Sequence, residues 1–184
     1  MRKSPFAWDK HSDQPCIITD KKFKKSQKKK FLLEYLKMFF VFMIVFPISF
    51  VWQFFMRYPK VQMKLGIGVN LDKGDIQYDL VKELDVKELL IRMPLWDVVR
   101  VDEYVDFAKG FGDDKNIMIN ILQDREHVEN LELLGIDIQI IFEKFELISC
   151  EYQIGNATNR TKWGFFSVSE YLNFYKVAQE VRDQ

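Results

Sequence analysis

Ser149-Cys150-Glu151-Tyr152-Gln153-Ile154-Gly155-Asn156-Ala157-Thr158-Asn159-Arg160-Thr161-Lys162-Trp163-Gly164-Phe165-Phe166-Ser167 reads as a short strand, a polar loop and the cap of a helix. The apolar alternation stops at Gly155, polar residues around one Trp follow, and helical periodicity begins after Ser167. A strand-to-helix loop in a β/α barrel is written this way, and such loops carry that architecture's chemistry.

Downstream, Ser167 is the expected N-cap and Glu170 the capping-box acid, with Tyr171, Leu172, Phe174, Tyr175, Ala178 and Val181 on the buried side. Upstream, the same alternation of strand and helix recurs. Lys64 to Asn70 is a strand with Leu65, Ile67 and Val69 on one face, and Asp75 is the expected cap of a helix burying Ile76, Leu80, Val81 and Leu84. Leu89 to Met93 and Ile117 to Leu122 are nearly continuous apolar runs, as in parallel strands buried on both faces. Helices follow over Val101 to Phe111 and from the cap Asp124 toward Leu134; Gly135 breaks the pattern, and Ile138, Ile141, Phe142, Phe145 and Leu147 have helical spacing, so one interrupted or two consecutive helices are expected before strand four. Strand four is expected at Cys150 to Ile154. The class is α/β, with about four βα units and right-handed crossovers. Gly66-x-Gly68 is a poor dinucleotide signal, because position 71 is Leu71 and both glycines lie within the strand.

The front of the 184-residue chain has another character. Met38 to Met56 holds 19 residues without a charge, and about 20 match a hydrocarbon core of about 30 Å. Pro47 is tolerated in a membrane helix, and Trp52 and Tyr58 suit an interfacial belt. Lys21, Lys22, Lys24, Lys25, Lys28, Lys29 and Lys30 precede the run, which predicts a cytoplasmic N-terminus and an exported C-terminal domain. The end of the run, Phe54 to Pro59, lacks a small-x-small cleavage pattern, so an uncleaved signal anchor is expected. The organisation is a basic, mobile cytoplasmic tail over 1–30, a transmembrane anchor over 31–57 and a β/α domain over 63–184. Lys+Arg 27 against Asp+Glu 27 gives a net charge of zero that hides this asymmetry. The lysines are read as a topology signal and a contact for the lipid bilayer, not as a nucleic-acid arm. Cys16 and Cys150 lie on opposite sides of the run, so no disulfide is expected. His11 and His127 are likewise separated, His127 is expected at a helix surface, and no metal or cofactor is expected.

Ile-Gly-Asn-x-x-Asn-x-x-Lys-Trp-Gly at 154–164, with Leu-Ile-Arg-Met-Pro at 90–94, resembles the (β/α)8-barrel glycoside hydrolases of the large retaining clan. The resemblance covers roughly Lys64 to Gln184 and implies the N-terminal half of a TIM-barrel-like fold. It implies that Asn156 holds a sugar hydroxyl and that Arg92 orients a nucleophile. The family's acid/base Glu is replaced by Ala157, and only four βα units are present, so the strand that carries the nucleophile has no counterpart. The expectation is a membrane-anchored, glycoside-hydrolase-like protein that is catalytically incomplete and retains carbohydrate binding at Asn156, Arg92, Trp163, Asn159 and Trp96. The alternative is a non-enzymatic interaction protein, with a second barrel half or self-association as partner. Arg92 either takes the family role or pairs with an acid at the barrel rim. Trp163 and Trp96 either stack on sugars or plug the barrel top. The overlapping sequons at Asn156 and Asn159 arise easily in such a loop and carry no weight.

Overall fold

The computed structural model describes residues 6–9, 14–18, 21–56, 65–149, 151–158 and 163–184. The expectations for His11, Tyr58, Lys64, Cys150 and Asn159 fall outside these residues.

The first 30 residues, expected to be an unstructured tail, contain an antiparallel pair, β1 (Phe6–Asp9) and β2 (Gln14–Ile18), and a helix, α1 (Lys21–Lys30). Helix α2 (Leu32–Phe55) follows and continues through Pro47 with no buried residue. Its 24 residues span about 36 Å. By length and composition it is able to cross a membrane.

The remaining elements are β3 (Gly66–Val69), α3 (Ile76–Glu83), β4 (Glu88–Pro94), α4 (Val101–Lys109), β5 (Asn116–Leu122), α5 (Arg125–Glu129), α6 (Leu131–Phe145), β6 (Glu151–Ile154) and α7 (Val168–Arg182). Strands β3-β4-β5-β6 form one parallel sheet in chain order. The domain is therefore mixed α/β. Among the described residues the strand order does not reverse, so the sheet shows no switch-point crevice of the kind that nucleotide-binding doubly wound sheets use.

Burial alternates along the strands, because successive side chains point to opposite faces. Leu89, Ile91 and Met93 of β4 and Ile117, Ile119 and Ile121 of β5 enter one core with Val81, Tyr104, Phe107, Leu134, Ile138, Phe145 and Phe174 from the helices. Leu90, Arg92 and Met118 on the other face are only half-buried. The expectation of strands buried on both faces holds only toward the carboxyl ends, where Pro94, Asn120 and Leu122 are buried.

Three local expectations also change. Asp75 sits in a helical conformation and makes no side-chain cap. Gln77 does the bracing there, donating to the carbonyls of Asn70 and Gly74 while its own carbonyl accepts from the Asn70 N–H. Of the apolar run on α3, only Val81 is buried, and Ile76, Leu80 and Leu84 are exposed. Gly135 lies inside a continuous α6. The break falls at Asn130 instead, whose side chain accepts from the Leu133 N–H and starts a new helix.

A shallow depression of about 410 Å³ lies beside Tyr78 and Phe111, at the opposite end of the strands from the loop 155–167. Next to it, a Cβ on Gly110 would come within 2.6 Å of the Tyr78 ring. That ring packs against Phe107 and Phe111 and bonds the Phe107 carbonyl, so it has little freedom to move aside. Gly110→Ala is expected to destabilise the domain by about 1–3 kcal/mol, measured by chemical denaturation; an unchanged midpoint would show that the ring yields freely.

Candidate functional site

The carboxyl ends of β4, β5 and β6 carry the residues singled out from the sequence. After β4, Pro94 leads into a 3-10 turn, Leu95–Arg100. Arg100 bonds Asp97, Glu103 and Asp72, and Tyr104 donates to Asp97 at 2.8 Å, tying the loop after β3 to the loop after β4. After β6 the chain turns sharply, with Gly155 at φ 76° and Ala157 at φ 46°. Glycine adopts the first without cost, whereas the second is a left-handed conformation that strains an alanine.

The loop is held from β5 by a residue the sequence did not single out. Gln123 is 3% exposed. Its Nε2 donates to the carbonyls of Asn156 (2.6 Å) and Trp163 (2.7 Å), and its Oε1 accepts from the Asn156 N–H (2.8 Å). A lone Gln after an apolar strand has no distinctive signal; its role exists only once β6 lies beside β5.

The next residues fasten the end of the loop. Arg125 makes a two-pronged pair with Glu170 at 2.8 and 2.9 Å, donates to the Gly164 carbonyl, and stacks 4.2 Å from the Phe166 ring. Ser167 caps α7 as expected, accepting from the Glu170 N–H. The returning arm of the box lands one residue early, since Glu170 accepts from the Phe166 N–H. Asp124 caps α5 as expected.

His127 is not at the surface. It is 4% exposed, with Nδ1 2.8 Å from Asp124 and Nε2 2.7 Å from Asp137. Burial pushes its pKa down, but the hydrogen bonds and charges of the two carboxylates outweigh that, and the net shift is upward. The sequence misses this because Asp137 is ten residues away, on α6.

The candidate binding residues are placed unevenly. Arg92 lies on the uncovered face of β4, and Asn156 begins the loop after β6 with its backbone held by Gln123. Two strand spacings, about 10 Å, separate their strands. Trp96 is 39% exposed, whereas Trp163 is 7% exposed and offers no open stacking face. Asn120, which the sequence reading also passed over, is in register with Arg92 on one side and Gln153 on the other, and is 2% exposed.

The segment before the apolar run reaches the same edge. Tyr35 donates to the Phe166 carbonyl at 2.8 Å, Ser169 donates to Glu34 at 2.9 Å, and Phe23 packs edge-on against Phe166. In a bilayer crossed once by α2, Glu34 and Tyr35 would lie on one side and Phe166 and Ser169 on the other. These contacts and a spanning α2 exclude one another.

Comparison with known proteins finds no protein family, characterised protein or solved structure that matches the chain.

The raised pKa of His127 gives a signed expectation. The protonated, doubly bonded ring stabilises the fold fully below the unfolded value of about 6.5, and this contribution is lost as pH rises through the higher folded value. The melting temperature of the native chain minus that of His127→Gln should therefore fall across that window. A difference independent of pH would remove the charged clamp.

Proposed function

We propose that this chain is a membrane-anchored, glycoside-hydrolase-like protein that holds carbohydrate at the carboxyl edge of a β/α half barrel and lacks hydrolytic activity. The observation that carries the reading is positional. Four parallel strands run in chain order with their helices on one face, and Arg92, Trp96 and Asn156 all lie at or just beyond the carboxyl ends. In β/α barrels that edge is where binding loops gather.

Loss of catalysis follows from the side chains. Hydrolysis with retention needs two carboxylates flanking the bond. The resemblance puts one of them at Ala157, a methyl group on a left-handed backbone. A glycan array probed with the full chain in phosphocholine micelles is expected to show binding to a sugar class; a blank array from folded protein would sink the reading. Ala157→Glu is expected to leave aryl glycosides uncleaved by this chain; cleavage would overturn the reading that catalysis is lost.

Export of the domain is part of the same proposal, and it requires Tyr35 and Glu34 to release Phe166 and Ser169. Translation into microsomes tests this, with the sequons at Asn156 and Asn159 as reporters and D113N/K115T supplying another at an exposed turn. Glycan addition is the expected outcome. An unmodified domain open to protease outside the vesicles would reverse the orientation.

A second reading is favoured by one specific feature. The first and last helices of the domain each leave an apolar stripe exposed: Ile76, Leu80 and Leu84 on α3, and Val168, Leu172 and Tyr175 on α7. Beside them β3 and β6 are the edges of the sheet. Open edges and apolar stripes invite a partner. In this reading a second copy places its α3 against α7 and the chain serves as an interaction module.

A further inference from the structure

His127 sits where β5 passes into α5, and its ring is clamped from both sides. Nδ1 lies 2.8 Å from each carboxylate oxygen of Asp124, and Nε2 lies 2.7 Å from Asp137 Oδ2. His127 is 4% and Asp137 8% exposed. Helices α6 and α7 pack against α5. Asp137 is the charged group that α6 turns toward the ring, while on the side of α7 the Arg125 and Glu129 of α5 and Glu170 bond one another. A single proton therefore sets the charge of a buried carboxylate–imidazole–carboxylate arrangement.

The two carboxylates do not depend on the ring equally. Among the described residues Asp137 has one hydrogen bond, the one to Nε2. Asp124 has a second, because its Oδ1 also accepts the His127 backbone N–H as the cap of α5. An imidazolium donates from both nitrogens, whereas a neutral ring has one N–H to give. A buried carboxylate left without any donor is the costlier outcome, so the neutral ring keeps its proton on Nε2 for Asp137. Its bare Nδ1 then faces the Asp124 carboxylate, lone pair against lone pair, and that contact opens.

Asp124 lies between the two fasteners of the loop 155–167. Gln123 holds Asn156 and Trp163, and Arg125 holds Gly164 and Glu170. The cap also touches the loop directly. A Cβ at Gly164 would stand 3.5 Å from the Asp124 carbonyl carbon and 3.5 Å from the Gln123 side chain, so the loop backbone rests on that of the cap. A displaced Asp124 carries both fasteners with it.

We propose that His127 is a proton-operated lock on the loop at the carboxyl edge. The charged ring holds Asp124 and keeps the loop closed; the neutral ring keeps Asp137, lets Asp124 go and loosens the loop. The inference does not depend on what the loop binds. The net upward shift of the His127 pKa gives the direction: the lock is closed below the unfolded value of about 6.5 and opens as pH rises through the higher folded value.

The test uses the full chain, labelled with 13C and 15N, in phosphocholine micelles and titrated from about pH 5.5 to about pH 9. The His127 ring carbons report its protonation, and the Gln123 side-chain amide and the Asn156 N–H report the loop. All three should follow one titration curve, with the protection of the Asn156 N–H from exchange falling about tenfold at the high end. His127→Gln should leave the loop signals flat, at their high-pH positions. Asp124→Asn distinguishes a lock from a structural cap. Its side-chain oxygen still caps the helix and its NH2 donates to a neutral Nδ1, so the ring titrates while the loop stays closed. If His127→Gln fails to fold, Asp124→Asn carries the test alone. Loop signals that ignore the titration of the ring, or that still follow pH in either variant, would overturn the lock.

Discussion

The carboxyl edge of this domain depends on one side-chain amide. Gln123 uses both hydrogens of its nitrogen on the carbonyls of Asn156 and Trp163, and its oxygen on the Asn156 N–H. The two ends of a polar loop are thereby brought to one point on β5. The nearest substitutes in shape or chemistry do not reproduce these bonds. A Glu could accept but not donate, a Leu would leave three buried backbone groups unpaired, and an Asn is a methylene too short. Leaving a buried polar group unmatched costs about 1–3 kcal/mol, so the loop's path is set by Gln123 more firmly than by its own exposed residues. Arg125 and Glu170 repeat the device one step later, where the loop enters α7.

That fastening explains why the two faces of the sheet differ. Helices α3, α4, α6 and α7 take the odd-numbered residues of β4 and β5 into one core, and the even-numbered residues are left to face the other way. Met118 and Leu90 there are half-buried; Asn120 and Leu122, nearer the pinned loop, are buried completely. Shelter on this face therefore increases toward the edge that the loop closes. A polar side chain set in that gradient is partly desolvated, and a hydrogen bond formed there is stronger than one formed at an exposed surface.

The positions of the four strands and their helices and the caps Asp124 and Ser167 were legible in the sequence because each depends on neighbours a few residues apart. The same locality explains the misses. Apolar runs such as Leu89 to Met93 look alike whether one face or two is covered, since burial of the second face is set by a distant element. Asp75 has the chemistry of a cap, but Gln77 satisfies the turn from inside the helix. Gly135 looked like a breaker, yet a single glycine costs a helix only about 1 kcal/mol, less than the packing of Leu134 and Ile138 on either side of it returns. At the candidate site the residues with distinctive types, Asn156, Arg92 and the two tryptophans, were visible. Gln123, Asn120 and the His127 clamp were not, because their partners at 156 and 163, at 92 and 153, and at 137 come from other elements.

The contacts of Tyr35 and Glu34 with the domain set the strongest internal constraint on where the chain can reside. They amount to two hydrogen bonds and an edge-on ring contact, together worth about 1–3 kcal/mol in water. Against them stands a helix whose side chains all remain outside the protein core. Its apolar run holds twelve Phe, Val and Ile residues, each favouring the bilayer by about 0.3–0.6 kcal/mol at the centre of a spanning helix. The transfer is therefore on the order of 5 kcal/mol before Pro47, Ser49 and Gln53 are set against it. A spanning α2 and the latch at Phe166 are alternatives, so that latch must release for α2 to insert into a bilayer. Without one, the latch covers a fraction of the first two turns and leaves the rest of α2 in water, a state whose exposed apolar surface favours association over solubility.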